Sequence, residues 1–394
     1  MIQIKYILVL FILILAFFIL FRLYVLRTKI SQEGMSSSSP DYNRVTSEIA
    51  TMSINPIQMP VSILSSADSL KDVPLTQFFI KASYNSAYSG GYISDEMLRY
   101  VCSRACRFLD FEVYYLLDPV TKNYNSYVGY SSDFSSVSPT IRNTENITFQ
   151  YMLQKALDYS FSSVSPARDD PLLIKIRGKS SPENLDKLMS LINNDILYNY
   201  NNGYKSYFYC DNAANTKHPV GLPITEKTTL GDIMRKVIFI FSENDKNTKF
   251  LNKGENTEHT VYHNMTTAKT KTSIGLYGTT YIYYNNLPQQ NIVQKTVTET
   301  LNIKDLYEVT PDENFSNQQN PDIFSIIPNY GFQIVEMQYY NADQFLLVYE
   351  TLFNNYSAAF VPLTYCMSFT RLYGNAREIN LGINSFLKSG DYHI

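Results

Sequence analysis

The chain has 394 residues, with 33 Lys and Arg against 36 Asp and Glu and a net charge of −3, which is enough for one large domain or two ordinary ones. A sequence pI of 5.9 leaves no basic excess to draw it to nucleic acid. Its 33 Tyr, 23 Phe and complete lack of Trp are the bias an AT-rich genome imposes, and its 4 Cys show no metal-ligand spacing with His.

Residues 7–26 carry the plainest physical signal. The run ILVLFILILAFFILF, from Ile7 to Phe21, contains no polar side chain. A helix of about 20 such residues spans ~30 Å, the thickness of a bilayer core, and Arg22 near its end can reach the interface. No small-x-small cleavage site follows closely, so the run reads as an uncleaved anchor and not as a signal peptide. Arg22, Arg27 and Lys29 outweigh Lys5 and favour the large C-terminal part on the cytoplasmic or inner side. The opposite topology would make the sequons at Asn146, Asn264, Asn314 and Asn355 usable. Residues 28–60, with SQEGMSSSSPDYN and a close at Pro56 and Pro60, read as a flexible linker.

Beyond it, short apolar runs alternate with helical patterns, which argues for an α/β architecture. Residues 78–80 predict a strand, Gly90 and Gly91 a turn, and Ser94 the N-cap of a helix over 95–104. Residues 108–115 form a near-continuous apolar strand interrupted by Asp110 and Glu112. At i and i+2 these two acids point to the same side of a strand. A buried strand seldom carries two unpaired acids, so the pair suggests a cation site or an acid/base pair. Further strands are expected at 127–130, 172–176 and 236–241, and helices over 149–161 and 182–193, the latter capped by Ser181 with Pro182 first. Residues 242–273 read as a polar, irregular insertion. Strand-like runs recur at 274–284, 333–339 and 345–349.

Several stretches of this body resemble a known family. Ser83-Tyr84-Asn85-Ser86-Ala87-Tyr88, a helix, then Cys106-Arg107-Phe108-Leu109-Asp110-Phe111-Glu112 is similar to the X region of the phosphoinositide-specific phospholipase C superfamily, S-H-N-T-Y-L, a helix, then C-R-x-x-E-L-D. Tyr127-Val128-Gly129 resembles that family's Y-H-G. Residues 160–176 followed by Arg177 resemble its A-F-x-x-S-x-Y-P-V-I-L-S-L-E, and residues 222–240 its L-P-S-P…K-I-L-I-K. Residues 327–339 resemble its Y region. The resemblance implies a TIM-like (β/α)8 barrel of the phospholipase C X/Y type, preceded by one N-terminal transmembrane helix. The divisions would be an anchor at 1–27, a linker at 28–60, an X-like half at 61–241, the insertion at 242–273, a Y-like half at 274–374 and a tail at 375–394. Chemistry in such barrels sits at the C-terminal ends of the strands.

Residue by residue, the resemblance argues against the family's reaction, which uses two histidines and a bound Ca²⁺. The histidine positions hold Tyr84 and Val128. His218, His259 and His263 fall in polar stretches and His393 at the terminus. Asn85 is kept, Asp110 and Glu112 are acids swapped in length, and the last calcium ligand falls on Arg177. The family's strand-end lysine corresponds to Ile240, and its arginine-bearing loop is shortened to residues 329–332. The former active-site positions are thus Tyr84, Asn85, Asp110, Glu112, Val128 and Arg177, with no cofactor, since Arg177 replaces a calcium ligand. A guanidinium there would stand between Asp110 and Glu112 as a structural cation.

The functional expectation is a membrane-anchored, catalytically inactive phospholipase C-like protein with a structural or adaptor role at a bilayer. Composition and the single anchor suit a membrane-associated component of a large DNA virus particle. Its partners would be the membrane through residues 7–26 and capsid or other membrane proteins, with no nucleic acid. The alternative is a phosphoric diester hydrolase or phosphoinositide headgroup binder, with a remodelled site built from Asn85, Asp110, Glu112 and nearby tyrosines.

Overall fold

The computed structural model describes residues 57–378, except 58, 67–69, 119, 132–136, 141–146, 212–218, 220, 243–261, 263, 269–277, 290–305 and 312–318. The expected anchor, most of the linker, all four histidines and the sequons at Asn146 and Asn314 lie outside these residues. Among the described residues no helix is long and apolar enough to cross a membrane.

The elements alternate along the chain. Strand β1 (Phe78–Ser83) leads to helix α1 (Asp95–Ser103), β2 (Phe108–Leu117) and β3 (Tyr124–Gly129). Next come α2 (Phe149–Ser160), β4 (Leu172–Lys179), α3 (Leu185–Asn199), β5 (Val237–Ser242), β6 (Met265–Ala268), β7 (Gly278–Tyr283) and β8 (Leu306–Thr310). The described part closes with α4 (Ile323–Tyr330), β9 (Ile334–Met337), α5 (Gln344–Tyr356), β10 (Phe360–Pro362) and α6 (Leu363–Glu378). Strands such as β5 (VIFIFS) read as unbroken apolar runs because both faces are buried, as a parallel sheet covered by helices requires.

Eight parallel strands form a ring in the order β1, β9, β8, β7, β6, β5, β4, β2. The seam between β2 and β1 rests on two residue pairs, Ala82 with Phe108 and Ser83 with Leu109. Strands β3 and β10 lie outside the ring, each antiparallel to its neighbour, β2 or β1. The helices are fixed by local chemistry. Ser94 Oγ accepts from Met97 N at 3.1 Å to cap α1, and Thr148 Oγ1 accepts from Tyr151 N at 3.3 Å to cap α2. Gly331, left-handed at φ 64°, ends α4.

Several expectations from the sequence are corrected. Residues 345–349 lie in helix α5 and not in a strand. Asp343 caps it, and Leu346, Tyr349, Glu350 and Phe353 share its buried face, a period that a five-residue apolar run is too short to reveal. Helix α3 begins at Leu185 because Ser181 and Asn184 close a preceding turn, with Asn184 N donating to Ser181 O at 3.0 Å. The stretch 242–273, expected to be irregular, contributes β6, whose polar sequence MTTA is a full member of the ring. Just before it, Asn264 is buried, donating to the carbonyls of Tyr209 and Leu222 at 2.8 Å each, so this sequon is closed in the folded chain. The last linker residues are docked: Arg104 Nη1 donates to Met59 O at 2.6 Å and Ile57 N donates to Tyr100 Oη at 3.1 Å. Helix α6 passes through the expected boundary at 374.

Candidate functional site at the mouth of the barrel

Parallel register places Asp110 beside Lys175 and Glu112 beside Arg177. Paired residues on neighbouring parallel strands project to one side, so two acids and two bases face the barrel interior together. The sequence supports this locally: each pair is set at i, i+2 after or within a run of apolar residues, in β2 (FLDFEVYYLL) or in β4 (LLIKIRGK), where Lys179 follows as a third basic residue.

Arg177 is the centre of the site. Its Nε donates to Asp110 Oδ1 at 2.8 Å and its Nη2 to Asp110 Oδ2 at 2.6 Å, a two-point grip on one carboxylate. Nη1 donates to Glu112 Oε1 at 2.5 Å, and Nη2 also reaches Asn85 Oδ1 at 2.8 Å. The remaining contacts complete the set. Asp110 Oδ2 accepts from Asn85 N at 3.0 Å. Glu112 Oε2 accepts from Tyr114 Oη at 2.6 Å and from Ser131 N at 3.1 Å. All four carboxylate oxygens therefore accept at least one hydrogen bond. Asn85 follows β1 with a left-handed φ of 41°, a conformation Asn tolerates better than most residues, and this turns both its amide N–H and its side chain towards β2 and β4.

Electrostatics follow from this geometry. Burial opposes ionisation of Asp110, but Arg177 and Lys175 overcome it and hold the carboxyl below its ordinary range. Burial likewise disfavours the charged guanidinium of Arg177, and the neighbouring carboxylates, Asp110 first and then Glu112, more than offset it. Tyr84 lies with its ring 4.7 Å from the Arg177 guanidinium carbon. Burial pushes its hydroxyl far above the usual tyrosine value, Arg177 offsetting only part, so Tyr84 keeps its proton at neutral pH and cannot serve as a general base.

Of the six positions singled out from the sequence, Tyr84, Asn85, Asp110, Glu112 and Arg177 meet here. Val128 does not. It pairs with Val113 across the β2–β3 hairpin, on the face opposite to Glu112 and Gly129. Its side chain belongs to the apolar core. A divalent cation does not fit this arrangement, because the guanidinium already occupies the oxygens that would ligate one. Among the described residues, no group of three or more His, Cys, Asp or Glu side chains could hold a metal ion.

The site also contains residues that the sequence does not single out. Lys175 Nζ donates to Glu308 of β8 and, at 3.1 Å, to Glu336 Oε1 of β9, and stands 4.0 Å from Asp110. A signal for it is present, a lysine two residues before Arg177 in an apolar strand, whereas Glu308 and Glu336 are lone acids in short runs. Tyr130 and Tyr340 lie near enough to feel the charge of Arg177; Tyr88 stacks on Tyr130 with centroids 4.3 Å apart, and Tyr340 meets Tyr88 edge-on at 4.6 Å. Tyr88 stands in the family-like word and nearby tyrosines enter the alternative reading, but in a chain with 33 Tyr nothing marks Tyr130 and Tyr340.

No family model matches the chain, and no curated protein matches it in sequence. Solved structures do. The crystal structure of L. pealei PLC21 superposes with a TM-score of 0.51 at 17% identity, covering 78% of this chain and 39% of that one. S. officinalis PLC21 gives 0.50 at 15% identity, with coverages of 77% and 38%. A calcium-dependent phosphoinositol-specific phospholipase C from a Pseudomonas species aligns more loosely, with a TM-score of 0.38 at 10% identity over 73% of this chain and 96% of that one. The chain thus spans about two fifths of the length of either PLC21. With its ring of eight parallel strands, the chain has the fold of the phospholipase C-like X/Y barrels.

Proposed function

We propose that this chain is a catalytically inactive phospholipase C-like barrel, tethered to a bilayer by residues 7–26 and acting there as a structural or adaptor protein. One observation carries the loss of catalysis: Arg177 is bonded to Asp110, Glu112 and Asn85. These are the residues that the family resemblance assigns to a calcium site. A fixed cation in that seat supports the fold but offers no open coordination position to a phosphate oxygen, which metal-assisted phosphodiester cleavage needs. The two positions that the resemblance assigns to proton transfer cannot perform it, since Tyr84 holds its proton and Val128 has none to give. The apolar run at 7–26 and the polar linker after it support the tether. The partners on this reading are proteins of the same membrane or of a virus capsid around it.

The test is an assay of the full chain on phosphatidylinositol vesicles, with and without added calcium, beside a heat-denatured control. The expected result is no release of inositol phosphate above the control in either condition. Calcium-dependent turnover would overturn the proposal and favour a working diesterase with a remodelled site.

A further inference from the structure

Behind Arg177, the barrel interior has an imbalance of charge. Asp110 and Glu112 of β2, Glu308 of β8 and Glu336 of β9 form ion pairs with two cations, Lys175 and Arg177 of β4; the third cation of β4, Lys179, lies beyond Arg177 at the end of the strand. Fully ionised, the acids behind Arg177 would outnumber the cations paired with them in a core closed to water, and uncompensated buried charge is severely unfavourable.

The hydrogen bonds locate where the imbalance falls. Arg177 is committed to Asp110 and Glu112. Lys175 is shared between Glu308 and Glu336, and Glu308 has a further donor in Thr267 Oγ1 at 3.4 Å. Glu336 accepts from Lys175 through Oε1 alone. Its second oxygen, Oε2, is fully buried and has no partner. Around it, β1 presents Ala82 in register with Glu336, and β8 presents another acid, Glu308. On β7, Tyr281 lies with its ring 5.7 Å from Lys175 Nζ, and β2 and β4 supply Asp110, Lys175 and Arg177. No further cation faces Glu336 among the described residues.

We propose that Glu336 keeps a proton in the folded barrel at neutral pH, making the barrel core a proton-binding site that links the stability of the fold to proton activity. A carboxylic acid explains the lone Oε2 as a hydroxyl oxygen, which tolerates lack of a partner far better than a bare anionic oxygen does. Burial pushes the Glu336 carboxyl well above its ordinary range; Lys175 offsets part of this, while Asp110 and Glu308 add to it. The sign of the effect is fixed by linkage. The unfolded chain releases this proton near the ordinary glutamate value of about 4.3, and the folded chain releases it at higher pH. The contribution is therefore full below that value and is lost as pH rises towards the folded value.

The experiment is chemical denaturation of the full chain in detergent micelles, wild type against Glu336→Gln, at a series of pH values. Between about pH 5 and 7, the folding equilibrium constant of the wild type is expected to fall about tenfold per pH unit relative to the variant. Asp170 and Asp195, pushed up by burial to about 6 and about 7, are common to both proteins and cancel. Parallel pH curves would mean that Glu336 is already ionised and would overturn the proposal. Should Glu336→Gln fail to fold, the infrared carbonyl stretch of a protonated carboxylic acid decides the matter with Glu336 in place. At pH 7, in an Asp170→Asn, Asp195→Asn background that removes the other two raised carboxyls, the band is expected to persist, since ordinary carboxyls are ionised there. Its absence would be equally decisive against the proposal. Neither measurement depends on whether the barrel cleaves phosphodiesters.

Discussion

Arg177 shows how one guanidinium can hold two buried carboxylates as a fixed part of the fold. Its planar donors bind both oxygens of Asp110 while reaching Glu112 and Asn85, a pattern that a point-charge ammonium could not reproduce. The resemblance to a metal-dependent family, together with the spacing of Asp110 and Glu112, makes this pairing legible in the sequence itself. The direction of Val128 is not legible there, because the facing of a hairpin residue depends on register and a one-residue offset reverses it. Replacing Arg177 with Met would leave Asp110 and Glu112 together in a buried site. The expected loss is about 3–5 kcal/mol at neutral pH, measurable by urea denaturation. Asp110 is held below its ordinary range in the wild type, so its share of stability is present above the unfolded value of about 3.9 and disappears as pH falls through the folded value. The deficit of the variant should therefore shrink in acid. A loss under about 1 kcal/mol at neutral pH would show that solvent replaces the guanidinium at little cost, as at an exposed ion pair.

At the scale of elements, the strands buried on both faces are readable as apolar runs, and α1 and α2 as periodic segments with capping residues. Two kinds of element escape such reading. Strand β6 is short and polar, and its place is fixed by its neighbours β5 and β7 and not by its own sequence. Helix α5 begins with the run FLLVY, which suits strand and helix alike until Asp343 is seen as its cap. Asp343 Oδ1 accepts from Phe345 N at 3.1 Å and Leu346 N at 2.9 Å, while Oδ2 accepts from Asn320 N at 2.7 Å. One side chain thus starts the helix and anchors the segment that leads into α4. Asp343→Ala is expected to cost more than the about 1 kcal/mol typical of a lost cap, and more than Ser94→Ala, where Ser94 Oγ accepts a single capping bond. Thermal melts of the two variants side by side make the comparison. An equal or smaller shift for Asp343→Ala would mean that the Asn320 contact contributes nothing.

At the scale of the whole molecule, the ring of eight strands brings together residues from four of them, and one from the turn after a fifth, around one polar column. Asn85 follows β1, Asp110 and Glu112 come from β2, Lys175 and Arg177 from β4, Glu308 from β8 and Glu336 from β9. The barrel is foreshadowed by words in the right order along the chain. The lower half of the column is not, since the meeting of Glu308 and Glu336 with Lys175, 133 and 161 residues away, exists only once the ring is closed. The structural likeness to PLC21 establishes the architecture, and the column gives that architecture a fixed internal cation where the family resemblance implies an exchangeable one. A crystal structure of the protein grown with excess calcium tests this claim most directly. The account predicts the Arg177 guanidinium between Asp110 and Glu112, with no ion bound there. A calcium ion ligated by Asn85, Asp110 and Glu112, with Arg177 swung aside, would contradict it.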